Sequence, residues 1–277
     1  MKYCLILFAL IALQLQAQTV LKFDKRFVQC EDKWVAHKMN KEDSTYNYGF
    51  IYIDAAAGLT YQDVGSFKIS EGRFVPKQND YNSKIRLEIN RVKVSWIPES
   101  KFEELQVSAT PDWLKAYKTD TASIERLYRW GFLYNSWDEC EKALTFLEKG
   151  QAINPKFKGL EFELAYAYNA LERYNNAITV LEGALQTTPN ECYLYKELSY
   201  AQMHIGQLDK AAVSCKKGIE LCSEKPMKCE IAFNLAKQYF LIKDKVNFKS
   251  WADEMKKWAD TDDFFMNNLK KMEEGLK

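Results

Sequence analysis

Apolar and polar residues follow two rhythms along this chain, and the rhythm changes near residue 110. From about Val20 to Ile97 the apolar positions alternate with polar ones, the spacing of half-buried strands. Tyr46, Tyr48, Phe50 and Tyr52 share one face of a predicted strand over 46–53. Phe67-Lys68-Ile69 and Arg73-Phe74-Val75 flank the turn signal Ser70-Glu71-Gly72. Between Lys84 and Ile97 the alternation runs twice. Ile85, Leu87 and Ile89 share one parity, and Val92, Val94 and Trp96 share the other. The switch at Asn90-Arg91 predicts a bulge or a tight hairpin. About six short strands imply a small antiparallel sheet, a sandwich or half-barrel. Pro98 to Leu105 reads as a short helical lead. Thr110-Pro111-Asp112 reads as a helix start, with a hydroxyl, a proline and a carboxylate in order.

Beyond Thr110 the period becomes helical, and the chain repeats itself every 34 residues. Ala143, Ala177 and Ala211 keep that step. So do Pro155 and Pro189, Tyr134 and Tyr168, and Leu164 and Leu198. Leu147, Leu181 and Cys215 form another series, as do Gly150, Ala184 and Gly218. Small residues at Gly131, Ala165 and Ser199 let the two helices of a hairpin approach closely. Each hairpin leaves an apolar face that only its neighbour can cover.

This register resembles the tetratricopeptide repeat family over about Ile124 to Met255. Repeat one carries Leu127, Trp130, Gly131 and Tyr134, then Ala143, Leu147, Gly150 and Pro155. Repeat two has Leu164, Ala165 and Tyr168, then Ala177, Leu181, Ala184 and Pro189, with Glu161 at the first aromatic position. Repeat three has Tyr195, Leu198 and Ser199, then Ala211, Cys215 and Gly218, with Gln202 in place of the tyrosine. A fourth, degenerate hairpin follows a three-residue insertion. It matches at Leu235, Ala236 and Tyr239 but carries Phe248 where alanine is expected. Thr261 is a predicted N-cap for a closing helix whose stripe is Phe265, Leu269, Met272 and Leu276. Pro111 to Lys118, with Trp113, Leu114 and Tyr117, is expected to cap the other end of the array.

The expected fold is therefore α+β in two domains, a small antiparallel β domain and an α-solenoid of tetratricopeptide-like hairpins. Residues 1–17 read as a signal peptide: Lys2, then an apolar run from Cys4 to Leu15, then a cleavage site after Ala17. The run is too short to span a bilayer, which takes roughly 20 residues. The β-rich domain is expected over 18–107, a linker and leading helix over 108–122, the repeats over 123–258 and the capping helix over 259–277. No later run is long enough to cross a membrane. Export to a bacterial periplasm or cell envelope, or secretion, follows as the expected location.

Charge and composition narrow the function classes. Removing a leader that carries Lys2 leaves 38 basic and 38 acidic residues, interspersed, with no basic stripe for nucleic acid. Only His37 and His204 are histidines. There is no Gly-rich phosphate loop, no paired metal-ligand motif and no Gly-x-Ser-x-Gly elbow. The chain is expected to be non-catalytic and to need no cofactor or metal. Aromatic residues are 14% of the chain, which points to large contact surfaces.

The family resemblance implies a concave groove lined by the first helix of each hairpin. By register its inward positions are Tyr128, Phe132 and Asn135, then Phe162, Tyr166 and Asn169, then Tyr193, Lys196, Tyr200 and His204. Some family members clamp a C-terminal carboxylate there with Lys, Asn and Arg. Phe132, Tyr166 and Tyr200 stand where that Asn belongs, so such a clamp is not expected. The implied partner is a peptide or protein segment. Two other classes stay open: a carbohydrate-binding component using exposed Tyr46, Tyr48 and Tyr52, and an enzyme with converging carboxylates. Among the cysteines, Cys222–Cys229 is the favoured disulfide, since a short loop joins two hairpins there; Cys192–Cys222 is the rival pairing. Cys215 is expected in the core.

Overall fold

The structure is a computed structural model that describes residues 21–260 and 264–275. The signal-peptide reading of 1–17, the Thr261 cap and Leu276 lie outside the described residues. The chain divides into two compact units, the first ending at Thr121 and the second beginning at Ala122. Among the described residues no helix is long and apolar enough to cross a membrane.

The first unit is one six-stranded antiparallel sheet. Its strands are β1 (Lys25–Arg26), β2 (Lys33–Ala36), β3 (Tyr46–Asp54), β4 (Gly58–Ser70), β5 (Arg73–Arg86) and β6 (Lys93–Trp96). Their order is β1-β6-β2-β3-β4-β5. The β4–β5 hairpin turns where the sequence expects it. Glu71 and Gly72 both take left-handed φ angles, 51° and 75°, the requirement of a tight two-residue hairpin loop. The second alternating stretch behaves differently. β5 and β6 lie on opposite sides of the sheet, so residues 87–92 cross over rather than reversing at Asn90-Arg91. Local parity could not reveal this, because β6 finds its partners in β2 and β1.

Tyr48, Phe50 and Tyr52 are buried, and Tyr46 is half-buried. They form the centre of a core with Trp34, Phe67 and Phe74. Phe67 stacks on Phe74 at 4.4 Å between ring centres, and Trp34 meets Phe50 edge-on at 5.0 Å. The row therefore offers no stacking platform for a sugar. The lead over 98–105 forms only a 3-10 turn, Glu99–Lys101, and Leu105 joins the same core. The Thr110-Pro111-Asp112 start opens a second 3-10 segment, Asp112–Tyr117, in place of the expected α-helix. Trp113 meets Tyr52 at 5.0 Å and Tyr117 meets it at 4.7 Å. This segment thus covers the aromatic face of the sheet. It belongs to the first unit, which ends at Thr121. The pull is the partial burial of two large aromatic rings against an aromatic face already present.

The second unit holds nine α-helices among the described residues. They are α1 (Ile124–Ser136), α2 (Cys140–Ile153), α3 (Leu160–Ala170), α4 (Tyr174–Leu185), α5 (Cys192–His204), α6 (Leu208–Leu221), α7 (Lys225–Leu241), α8 (Lys245–Lys256) and α9 (Phe264–Gly275). The first eight pair as hairpins. Ser123 caps α1 by accepting from the Arg126 amide, and Asp244 caps α8 by accepting from the Asn247 amide. Each hairpin turns on one left-handed residue: Asp138, Glu172, Gly206 and Lys243. These keep the 34-residue step twice and then exceed it by three, which places the insertion between the third and fourth hairpins.

Ala143, Ala177 and Ala211 are fully buried, as are Leu147, Leu181 and Cys215. Burial pushes the Cys215 thiol up to about 12, the behaviour of a small core residue. Phe248 is buried at the fourth alanine position. Leu269 is buried and Phe265 packs on Phe233 at 5.2 Å, so α9 closes the array against α7.

The disulfide corrects the favoured pairing. Cys222 bonds Cys192, with Cα atoms 5.2 Å apart. α7 begins at Lys225, which puts Cys229 inside the helix and into the core. Cys192 opens α5 and Cys222 follows the last residue of α6, so the two meet at the open end of the third hairpin.

Candidate functional site

The first helices α1, α3, α5 and α7 lie side by side along the array. A shared face therefore carries residues from all four. Phe132 is 52% exposed and Tyr193 is 38% exposed, although each is a large apolar ring. Tyr128, Phe162, Tyr166 and Tyr200 are half-buried between them. Phe162 meets Tyr193 edge-on at 6.0 Å, which links α3 to α5. Burial pushes the hydroxyls of Tyr128, Tyr166 and Tyr200 above the usual phenol value, so they remain neutral donors and acceptors. His204 is exposed at the end of α5, where it lies 4.2 Å from the Tyr200 ring and stacks on Tyr174 at 4.8 Å.

Asn135 and Asn169 are engaged between repeats. Both are buried, although the register places them inward. Asn135 Nδ2 donates to the Glu163 carbonyl at 2.9 Å and to Glu163 Oε2 at 2.8 Å. Asn169 Nδ2 does the same to Glu197, at 3.1 and 2.9 Å. Each asparagine thus ties its helix to the first helix of the next repeat. Glu163 and Glu197 are also buried, and burial raises both carboxyls above their ordinary value. Sequence reasoning missed these two glutamates. The signal was present, since Asn135/Asn169 and Glu163/Glu197 each keep the 34-residue step. At the next step Met203 replaces the asparagine and the pairing stops.

Lys196 is half-buried and pairs with Glu230 at 3.0 Å, so the groove's one predicted cation is already neutralised. Where α3, α5 and α7 meet, a pocket of about 270 Å³ opens between Tyr166, Asn169, Lys196, Glu197, Tyr200 and Glu230. The surface combines aromatic rings, acceptor oxygens and one engaged ammonium.

No protein-family model and no curated protein matches this chain. Solved structures do resemble it. YrrB, described as a TPR protein with an unusual peptide-binding site, is 18% identical with a TM-score of 0.48. The match covers 57% of this chain and 80% of that one. TTC0263, a thermophilic TPR protein in Thermus thermophilus, is 21% identical with a TM-score of 0.47, over 58% of this chain and 86% of its own. PilF of Pseudomonas aeruginosa is 14% identical with a TM-score of 0.45, over 58% and 75%. The 34-residue register, carried into three hairpins with matching turns and small contacts and followed by a fourth hairpin offset by three residues, makes residues 124–256 a tetratricopeptide-like repeat region.

Proposed function

We propose that this chain is an exported, non-catalytic scaffold that holds a peptide or protein segment on the face shared by α1, α3, α5 and α7. The observation that carries the reading is the aromatic row. Phe132 and Tyr193 stand exposed beside four half-buried rings on three successive helices. Large rings in water are unfavourable by about 25 cal/mol per Å² of apolar surface, and a partner recovers that free energy on covering them. Rings of this kind supply much of the binding energy at protein interfaces. The reading of 1–17 as a leader supports export, and the repeats need no cofactor for this role.

The test uses the chain from Gln18 onward and a randomised peptide library. The wild type should enrich a set of binders, and a Phe132→Ala/Tyr166→Ala variant of unchanged helicity should lose them. Equal enrichment by the two proteins would reject the groove reading.

A further inference from the structure

We infer that the pocket between Tyr166 and Tyr200 receives a cationic side chain, lysine or arginine, from the bound segment. The inference rests on the groove reading and specifies its chemistry.

Three donors of the pocket wall are already engaged. Asn169 Nδ2 is held by Glu197, and the Ser199 hydroxyl donates to the Lys196 carbonyl at 2.8 Å. Lys196 Nζ is held by Glu230. The acceptors are not matched. Asn169 is 4% exposed, and its Oδ1 is buried with no hydrogen-bond partner. A buried acceptor without a donor is unfavourable, so the wall calls for an N–H from outside. Two carboxylates, Glu197 and Glu230, face one ammonium, which leaves an excess of negative charge. Tyr166, Tyr200 and Asn234 complete the polar wall, and each accepts as readily as it donates.

Shape agrees with charge. Ala170 and Ile231 give the pocket an apolar side that suits the aliphatic stem of lysine or arginine. The rings of Tyr166 and Tyr200 attract a cation through their faces. Both rings line the pocket and are only half-buried. An anionic side chain would meet the same excess of carboxylate and be repelled.

The experiment takes peptides enriched from the randomised library by the chain from Gln18 onward. Enriched peptides should contain a lysine or arginine whose replacement by norleucine or citrulline weakens binding about tenfold, the effect of losing a charge-assisted hydrogen bond. Glu197→Gln should remove that difference. Lys196→Gln should enlarge it by removing the competing ammonium, a gain that damage to the fold cannot imitate. Enriched peptides that tolerate norleucine at every position would overturn the cation pocket and leave the groove reading intact. A library that yields no binders would reject both.

Discussion

Asn135 reaches across 28 residues to grip Glu163 twice, once at the backbone carbonyl and once at the carboxylate. The contact is buried, and Asn169 and Glu197 reproduce it one repeat later. Removing Asn135 leaves the Glu163 oxygens desolvated without their donor. Asn135→Ala should therefore cost about 1–3 kcal/mol of unfolding free energy in chemical denaturation. An unchanged midpoint would show that water enters and replaces the amide.

These pairs also give stability a direction in pH. Burial lifts Glu163 and Glu197 above the ordinary 4.5 in the folded state. The unfolded chain gives up these protons at lower pH than the folded one. The stability tied to them is complete below 4.5 and is lost as pH rises through the raised values. Glu163→Gln/Glu197→Gln removes both titrations. Its unfolding free energy should fall less than that of wild type between 4.5 and neutrality, measured by denaturant titration at each pH. Parallel curves would contradict the assignment.

The Cys192–Cys222 bond closes the open end of the third hairpin over a sequence separation of 30. Loop-closure entropy for that span corresponds to about 3–4 kcal/mol. Reductant should destabilise the wild type by that order. Cys192→Ser/Cys222→Ser should show the lower stability at once and respond no further to reductant. A reductant-sensitive double variant would place the bond elsewhere.

Gly131 sets the closeness of the first hairpin. A Cβ there would lie 2.3 Å from both Cγ and Cδ2 of Leu147, a side chain fully buried between the helices. Gly131→Ala should cost about 1–3 kcal/mol by overpacking. Combining it with Leu147→Ala should cost less than the two single changes summed, read from a double-mutant cycle of denaturation midpoints.

Several features were written in local spacing. Gly131, Ala143 and Leu147 recur because each repeat solves the same packing problem, so helix contacts surface as a period. The β4–β5 turn was legible at Ser70-Glu71-Gly72 because a hairpin turn is a local requirement of φ. The aromatic positions proposed for the groove were read from the same register.

Other features depend on which elements become neighbours, and one-dimensional spacing carries no such information. Asn135 and Asn169 occupy inward register positions. Whether such a position meets solvent or the next helix depends on how tightly hairpins stack, and here they meet Glu163 and Glu197. Cys222 lies nearer to Cys229 in sequence. The antiparallel return of α6 brings it to Cys192, and the early start of α7 turns Cys229 into the core. Asp112–Tyr117 carries the signals of a helix start, yet its aromatic rings bury against Tyr52 because that face was the apolar surface in reach. Sequence alone determined the repeat and its period, since side-chain size at a recurring contact is a local property. Tertiary structure alone decided the polar pairs, the disulfide and the pocket, since each needs side chains from separate elements brought within bonding distance.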